Sequence, residues 1–331
     1  MMSSTPIRVH IQNNPAVDEV YKVTPALLDG ALRTKPDLHG QIECRFGSDL
    51  HDLQQSLNET EVLFVQGRIE LGAMVRRAPC LKWIQSTGAG VDKLLSTVPP
   101  NIIVTTSSGI HVAKGGEYAL TALLMLNHRV PHFVTAQHEA QWDQAFSTPI
   151  AGKTIVVVGT GGIGSEAARL ARPLGVRLLG VNRSGKANEA FDRIYRTAEL
   201  PQVLPQADFL LVILPLTPAT RGLLGRAQLD MLAKHAGVIN IGRGAVIDND
   251  ALVEKLHKRE LSGAVLDVYP EEPLPTSSPL WSAPSLIMSP HCAVDDADRY
   301  AERAVGLFVD NLSRYIEGQE LINVVDRALG Y

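Results

Sequence analysis

The sequence predicts an α/β protein built on doubly wound parallel sheets. Two observations carry that reading. Between residues 154 and 288, short β-rich runs alternate with stretches whose apolar residues return every three or four positions. Those runs are also almost continuously apolar, as strands buried on both faces of a parallel sheet must be. Length sets the number of cores: 331 residues are too many for one ordinary core, so two domains are expected.

Taken in order, the second half offers strands at TIVVV (154–158), VRLLGV (176–181), DFLLVI (208–213), GVINI (237–241), GAVLDV (263–268) and SLIMS (285–289). Helical spacing fills the gaps, as in GIGSEAARLARPLG and NDALVEKLHKRE. The first hundred residues repeat the style more loosely, with IRVHI (7–11), EVLFV (61–65), LKWIQS (81–86) and NIIVT (101–105), and read as a smaller α/β domain. GGEYALTALLMLNHRV (115–130) predicts a long helix crossing between the domains. Its leading Gly115-Gly116 costs roughly 2 kcal/mol against alanines in a helix interior, so the pair is expected to delay the helix start, with a hinge as the alternative. The tail 296–318 has helical spacing and no strand of its own. Its partner is the first domain, which makes the second an insertion. The expected division is 1–112 with 293–331, and 113–292.

Composition excludes several classes. Hydrophobic residues at 45% and charged residues at 20% describe a globular chain, not a disordered one. A formal charge of −4, with no Lys/Arg run, argues against nucleic acid as a partner. The start, MMSSTPIRVHIQNN, lacks the apolar core of a signal peptide. The longest apolar run, FLLVIL (209–214), is far short of the ~20 residues that span a bilayer, so no membrane role is expected. Cys44, Cys80 and Cys292 form no paired spacing and read as reduced thiols of a cytoplasmic protein, Cys292 being a small packing residue. No metal site is expected.

The strand at 154–158 opens into Gly159-x-Gly161-Gly162-Ile163-Gly164 and then into a helix. A glycine string alone is weak evidence, but strand, glycines and helix in this order suit a dinucleotide. Gly159 permits the turn, Gly161 lets backbone approach a pyrophosphate, and Gly164 lets the helix pack close to the strand. The helix N-terminus adds unpaired N–H groups and partial positive charge.

Ligands of open α/β sheets bind beyond the carboxyl ends of the strands. Arg243 follows GVINI, Glu271 and Glu272 follow GAVLDV, and His291 follows SLIMS. Each alone reads as an ordinary loop residue; together they complement one another. Arginine is a planar fork for carboxylates, and histidine donates or accepts protons near neutral pH. A carboxylate beside that histidine favours the imidazolium and fixes the ring.

These residues resemble the D-isomer-specific 2-hydroxyacid dehydrogenases along nearly the whole chain. The similar segments are STGAGVD (86–92), AGKTIVVVGTGGIG (151–164), LPLTPAT (214–220), NIGRGAVIDNDAL (240–252), LDVYPEEPLP (266–275) and SPHCA (289–293). The resemblance implies a Rossmann dinucleotide domain inserted in a smaller flavodoxin-like α/β substrate domain. It implies that Arg243 grips the substrate carboxylate and polarises the keto oxygen, that Glu272 (the acid directly before Pro273) is the paired acid, and that His291 is the proton donor. Asp267 would hold the nicotinamide carboxamide, while Leu214, Pro215, Thr220 and Ile241 would line the cofactor. Gly88, Ala89 and Gly90 would offer backbone N–H groups to the substrate. A homodimer through the dinucleotide domain, using the 115–150 stretch, is implied in the same way. Trp83, Trp142 and Trp281 are candidates for pocket walls, core or interface.

One position departs from the usual pattern. About 20 residues past the glycines an acid is expected to bind the adenosine ribose, yet GVNRSG (180–185) has Asn182, Arg183 and Ser184. An acid would repel the 2′-phosphate of NADP, since charges a few Å apart near a surface interact by up to ~4 kcal/mol before screening. Asn182 removes that repulsion, Arg183 pairs with the phosphate and Ser184 donates a hydroxyl. The expected cofactor is NADP(H), with NAD(H) second. The expected activity is reduction of a small 2-oxo acid, of the glyoxylate or hydroxypyruvate kind, to a D-2-hydroxy acid. A dinucleotide-sensing, corepressor-like binding protein is the alternative from another class.

Overall fold

The computed structural model describes residues 5–66, 69 and 71–331. Residues 1–4, 67, 68 and 70, which belong to the expected first domain, lie outside the described residues. The chain divides into two compact units: a first from residues up to Ile110 and from Asp296 onward, and a second from His111 to Asp295.

In the first unit, strands β1 (Ile7–Gln12), β2 (Ile42–Gly47), β3 (Val62–Val65), β4 (Trp83–Ser86) and β5 (Ile103–Thr105) form one parallel sheet in the order β2-β1-β3-β4-β5. β3 and β4 are buried residue by residue, which is why their sequences are unbroken apolar runs. β2 was not evident from sequence. It lies at the sheet edge with alternating exposure along IECRFG, so no continuous run marks it. The tail helix Tyr300–Ile316 presents Phe308 to this core, stacked on Phe64 with centroids 4.3 Å apart and 5.5 Å from Trp83. Trp83 is itself fully buried and its Nε1–H donates to Thr105 Oγ1 at 2.8 Å, so its role is core packing.

The second unit holds seven parallel strands: β6 (Thr154–Val158), β7 (Arg177–Asn182), β8 (Arg193–Arg196), β9 (Phe209–Val212), β10 (Gly237–Asn240), β11 (Gly263–Leu266) and β12 (Leu286–Met288). Their order is β12-β11-β10-β9-β6-β7-β8, which reverses direction between β6 and β9. That reversal opens a crevice at the carboxyl end of β6, where the glycine string begins. β8, the second unexpected strand, is again an edge, and RIYR shows only Tyr195 buried.

The helix expected at 115–130 spans Val112–Asn127, lies wholly within the second unit, and is followed by a separate helix, Val130–His138. Gly115 and Gly116 therefore neither delay the helix nor interrupt it. They are buried where it meets the Gly162–Ala171 helix. A methyl group on Gly115 would sit 2.8 Å from Ile163 Cγ2, and one on Gly116 2.5 Å from Glu166 Cγ and 3.3 Å from the Glu166 carbonyl carbon. The propensity cost is accepted because only hydrogen side chains let these helices pack so closely. Gly116→Ala should accordingly lower the thermal midpoint, since overpacking costs about 1–3 kcal/mol against a helix-propensity gain of about 1. An unchanged or higher midpoint in a calorimetric scan would show that the helices separate freely.

Candidate active site

Because β10, β11 and β12 are parallel neighbours, the residues leaving their carboxyl ends share one edge of the sheet. Glu272 and His291 meet there. His291 Nδ1 lies 2.6 Å from Glu272 Oε2, with 28% and 30% of the two side chains exposed, so the pair is partly shielded from water. The other carboxylate oxygen accepts from the Tyr269 N–H at 3.0 Å, which fixes the acid from behind. With Nδ1 committed to Glu272, Nε2 is the ring nitrogen left to meet a reactant. His291 has φ +53°, the left-handed region, so the turn itself aims the ring. Glu271 is exposed and makes no such pair.

Arg243 leaves β10 and is half-buried. Its Nη1 donates to the Gly242 carbonyl at 2.8 Å. Asn240 clasps the same turn, its Nδ2 donating to the Arg243 carbonyl at 3.0 Å and its Oδ1 accepting from the Gly242 N–H at 3.1 Å. The next residue, Gly244, lies against Tyr269: a Cβ there would be 2.0 Å from the Tyr269 carbonyl carbon. The arginine's turn is thus pressed onto the residue whose N–H holds Glu272.

Asp267 is fully buried at the end of β11. Oδ1 accepts from Ser289 Oγ at 2.7 Å and from the N–H groups of Cys292 and Ala293 at 3.2 Å each. Ser289 Oγ is also 3.0 Å from the Tyr118 hydroxyl. Burial pushes the Asp267 carboxyl above the usual range, and its hydrogen bonds pull it back in part. Oδ2 is buried without a protein partner. An orphan acceptor of this kind is costly unless something donates to it, and a carboxamide NH₂ supplies the required group. Ser289, Tyr118 and Asn240 escaped notice in the sequence because their parts are played through contacts that only the fold creates.

Gly159 ends β6 at φ +111°, and a Cβ there would be 2.1 Å from the Ile213 carbonyl oxygen. The Gly164 Cβ position would lie 2.1 Å from the Gly159 oxygen, whereas that of Gly161 points into open space. Gly162 opens the ten-residue helix and Ile163 follows in its first turn. The turn is therefore closed where it packs and open where a phosphate would approach. Leu214, Pro215 and Thr220 sit on a loop that Thr220 braces, its hydroxyl donating to the Pro215 carbonyl at 2.7 Å and accepting from the Thr217 N–H at 2.8 Å. Ile241 is buried just past β10.

Asn182 closes β7 and holds four groups. Its Oδ1 accepts from the Gly185 N–H at 2.7 Å and from Ser184 Oγ at 3.3 Å, while Nδ2 donates to Thr160 Oγ1 and to the Lys186 carbonyl, each at 3.0 Å. Arg183 and Ser184 are exposed on the turn so formed. In the first unit, the Gly88 N–H donates to Ser86 Oγ at 3.2 Å. Ala89 and Gly90 follow in the same loop, and Tyr300 steadies it by donating to the Thr87 carbonyl at 3.1 Å.

Among the described residues, no helix is long and apolar enough to cross a membrane. The family described as D-isomer specific 2-hydroxyacid dehydrogenase, NAD binding domain, matches residues 120–293. Glyoxylate/hydroxypyruvate reductase B of Pectobacterium atrosepticum is 30% identical over 306 residues, 88% of this chain and 94% of that protein. D-3-phosphoglycerate dehydrogenase of Methanocaldococcus jannaschii is 27% identical over 311 residues, 92% of this chain, which spans only 59% of that longer protein. Among solved structures, an NADPH-dependent glyoxylate/hydroxypyruvate reductase of Sinorhizobium meliloti, in complex with NADP and sulfate, superposes with a TM-score of 0.81. It is 26% identical, with 98% of this chain and 100% of that one covered.

Proposed function

We propose that this chain, which belongs to the D-isomer specific 2-hydroxyacid dehydrogenase family, is an NADPH-preferring reductase of small 2-oxo acids of the glyoxylate or hydroxypyruvate kind. The observation that carries the chemistry is the 2.6 Å contact between His291 Nδ1 and Glu272 Oε2 on the sheet edge that also bears Arg243. The second unit is the NAD(P)-binding domain in this reading and the first the substrate domain. Bound NADPH supplies a hydride. Gly159, Gly161, Gly162, Ile163 and Gly164 receive its pyrophosphate, and the orphan Asp267 Oδ2 accepts from its carboxamide.

The chain's own residues then manage charge and one proton. Arg243 pairs with the substrate carboxylate and stabilises the negative charge that grows on the keto oxygen. His291 delivers the proton from Nε2, giving the D-2-hydroxy acid. Glu272, held by the Tyr269 N–H, binds Nδ1 and prevents the ring from turning. Ala89 and Gly90 offer their N–H groups to a carboxylate. Arg183 and Ser184 face the 2′-phosphate, which selects NADPH.

Initial rates with glyoxylate and hydroxypyruvate test the cofactor and substrate together. NADPH should exceed NADH at least tenfold in kcat/KM; a preference for NADH would discard the reading of the 182–184 turn, and absence of turnover with both would discard the substrate class. His291→Asn should lower kcat about 10²–10⁴-fold. Glu272→Gln should lower kcat while leaving KM for NADPH unchanged, because an amide no longer holds His291 through a charge-assisted bond; an unchanged kcat would contradict the pairing.

The protein is further proposed to be a homodimer through the second unit. Trp142 and Phe146, 95% and 84% exposed, stand on the irregular segment after the Val130–His138 helix, where such large apolar surfaces suit a second copy. Sedimentation should give a dimer for the wild type and a substantial monomer fraction for the Trp142→Ala, Phe146→Ala double variant; a monomeric wild type would end this assignment.

A further inference from the structure

Asn182 and Arg196 are register partners on the parallel strands β7 and β8, so Arg196 emerges beside the 182–186 turn. Its stem lies across that turn. A Cβ on Gly185 would sit 2.8 Å from Arg196 Cγ and 3.1 Å from its Nε. Gly185 also has φ +70°, so backbone shape and the crossing stem both require glycine there. Other arginines of this region are occupied: Arg169 pairs with Glu166, Arg172 with Asp192, and Arg193 stacks over the Tyr195 ring. Arg196 is exposed and has no ion pair among the described residues. The nearest acid along the chain, Glu199, spends an oxygen on the Arg196 backbone N–H at 2.7 Å.

We propose that Arg196 is a second specificity-determining arginine, which closes on the 2′-phosphate of the cofactor from β8 while Arg183 approaches from the turn. This rests on the NADPH reading above and adds a residue to it. A phosphate dianion has oxygens enough for two guanidinium groups, and a fork held by a strand loses less freedom on binding than one on a loop. Lys186, at the end of the same turn, adds to the positive field.

Adenosine 2′,5′-bisphosphate and 5′-AMP differ only in the 2′-phosphate, so their binding to the full chain, measured by titration calorimetry, isolates this contact without turnover. The wild type should bind the bisphosphate at least tenfold tighter than 5′-AMP. Arg196→Gln should lose about tenfold in bisphosphate affinity, as expected for one charge-assisted bond, and nothing for 5′-AMP. The double variant with Arg183→Gln should bind both ligands alike. If Arg196→Gln keeps the wild-type ratio, or weakens both ligands equally, the role of Arg196 is overturned while the NADPH reading stands. If the wild type itself shows no preference between the ligands, the NADPH reading falls, and Arg196 with it.

Discussion

The chemistry of the second unit depends on how closely one backbone passes another at Gly244. Its neighbour Arg243 belongs to the turn after β10, and the backbone it touches is Tyr269, after β11. Tyr269 in turn gives its N–H to Glu272, and Glu272 gives its other oxygen to His291. A guanidinium, a carboxylate and an imidazole are therefore linked through main-chain contacts, with no long flexible side chain between them. Groups held this way lose little freedom when a reactant arrives, which is how preorganised charge outperforms solvent. The His–Glu pair is partly shielded in the same way, enough for each group to feel its partner while both stay open to solvent.

Asp267 shows the complementary device. Three donors converge on one oxygen and leave the other without a protein partner, although the whole side chain is buried. A buried acceptor left in this state costs stability in the absence of a donor. The network of Tyr118, Ser289 and Asp267 thus holds an unsatisfied acceptor at a fixed position.

Much of this was legible in the sequence wherever burial is two-sided. TIVVV coincides with β6 to the residue, since every position of that strand is buried. That Glu272 and His291 would lie at one edge was legible too, because a parallel sheet sends all its strand ends to one side. What escaped notice lies where side chains face both water and protein. β2 and β8 are sheet edges with broken apolar patterns, and Arg196 was hidden along with the second of them. Gly115 and Gly116 were read through helix propensity alone, whereas the neighbouring helix decides their role.

The turn at 182 adds a reason for the missing acid that charge alone does not give. An aspartate at this position could still accept from the Gly185 N–H and from the Thr160 hydroxyl, but it has no donor for the Lys186 carbonyl. It would instead turn an oxygen toward that carbonyl, with repulsion where a bond now exists. The amide of Asn182 consequently does two things: it closes its own turn on the Lys186 carbonyl, and it ties the β7 turn to the glycine turn through Thr160. An acid would open the turn at the Lys186 carbonyl, so the polarity of this position is bound to the shape of the turn as well as to its charge.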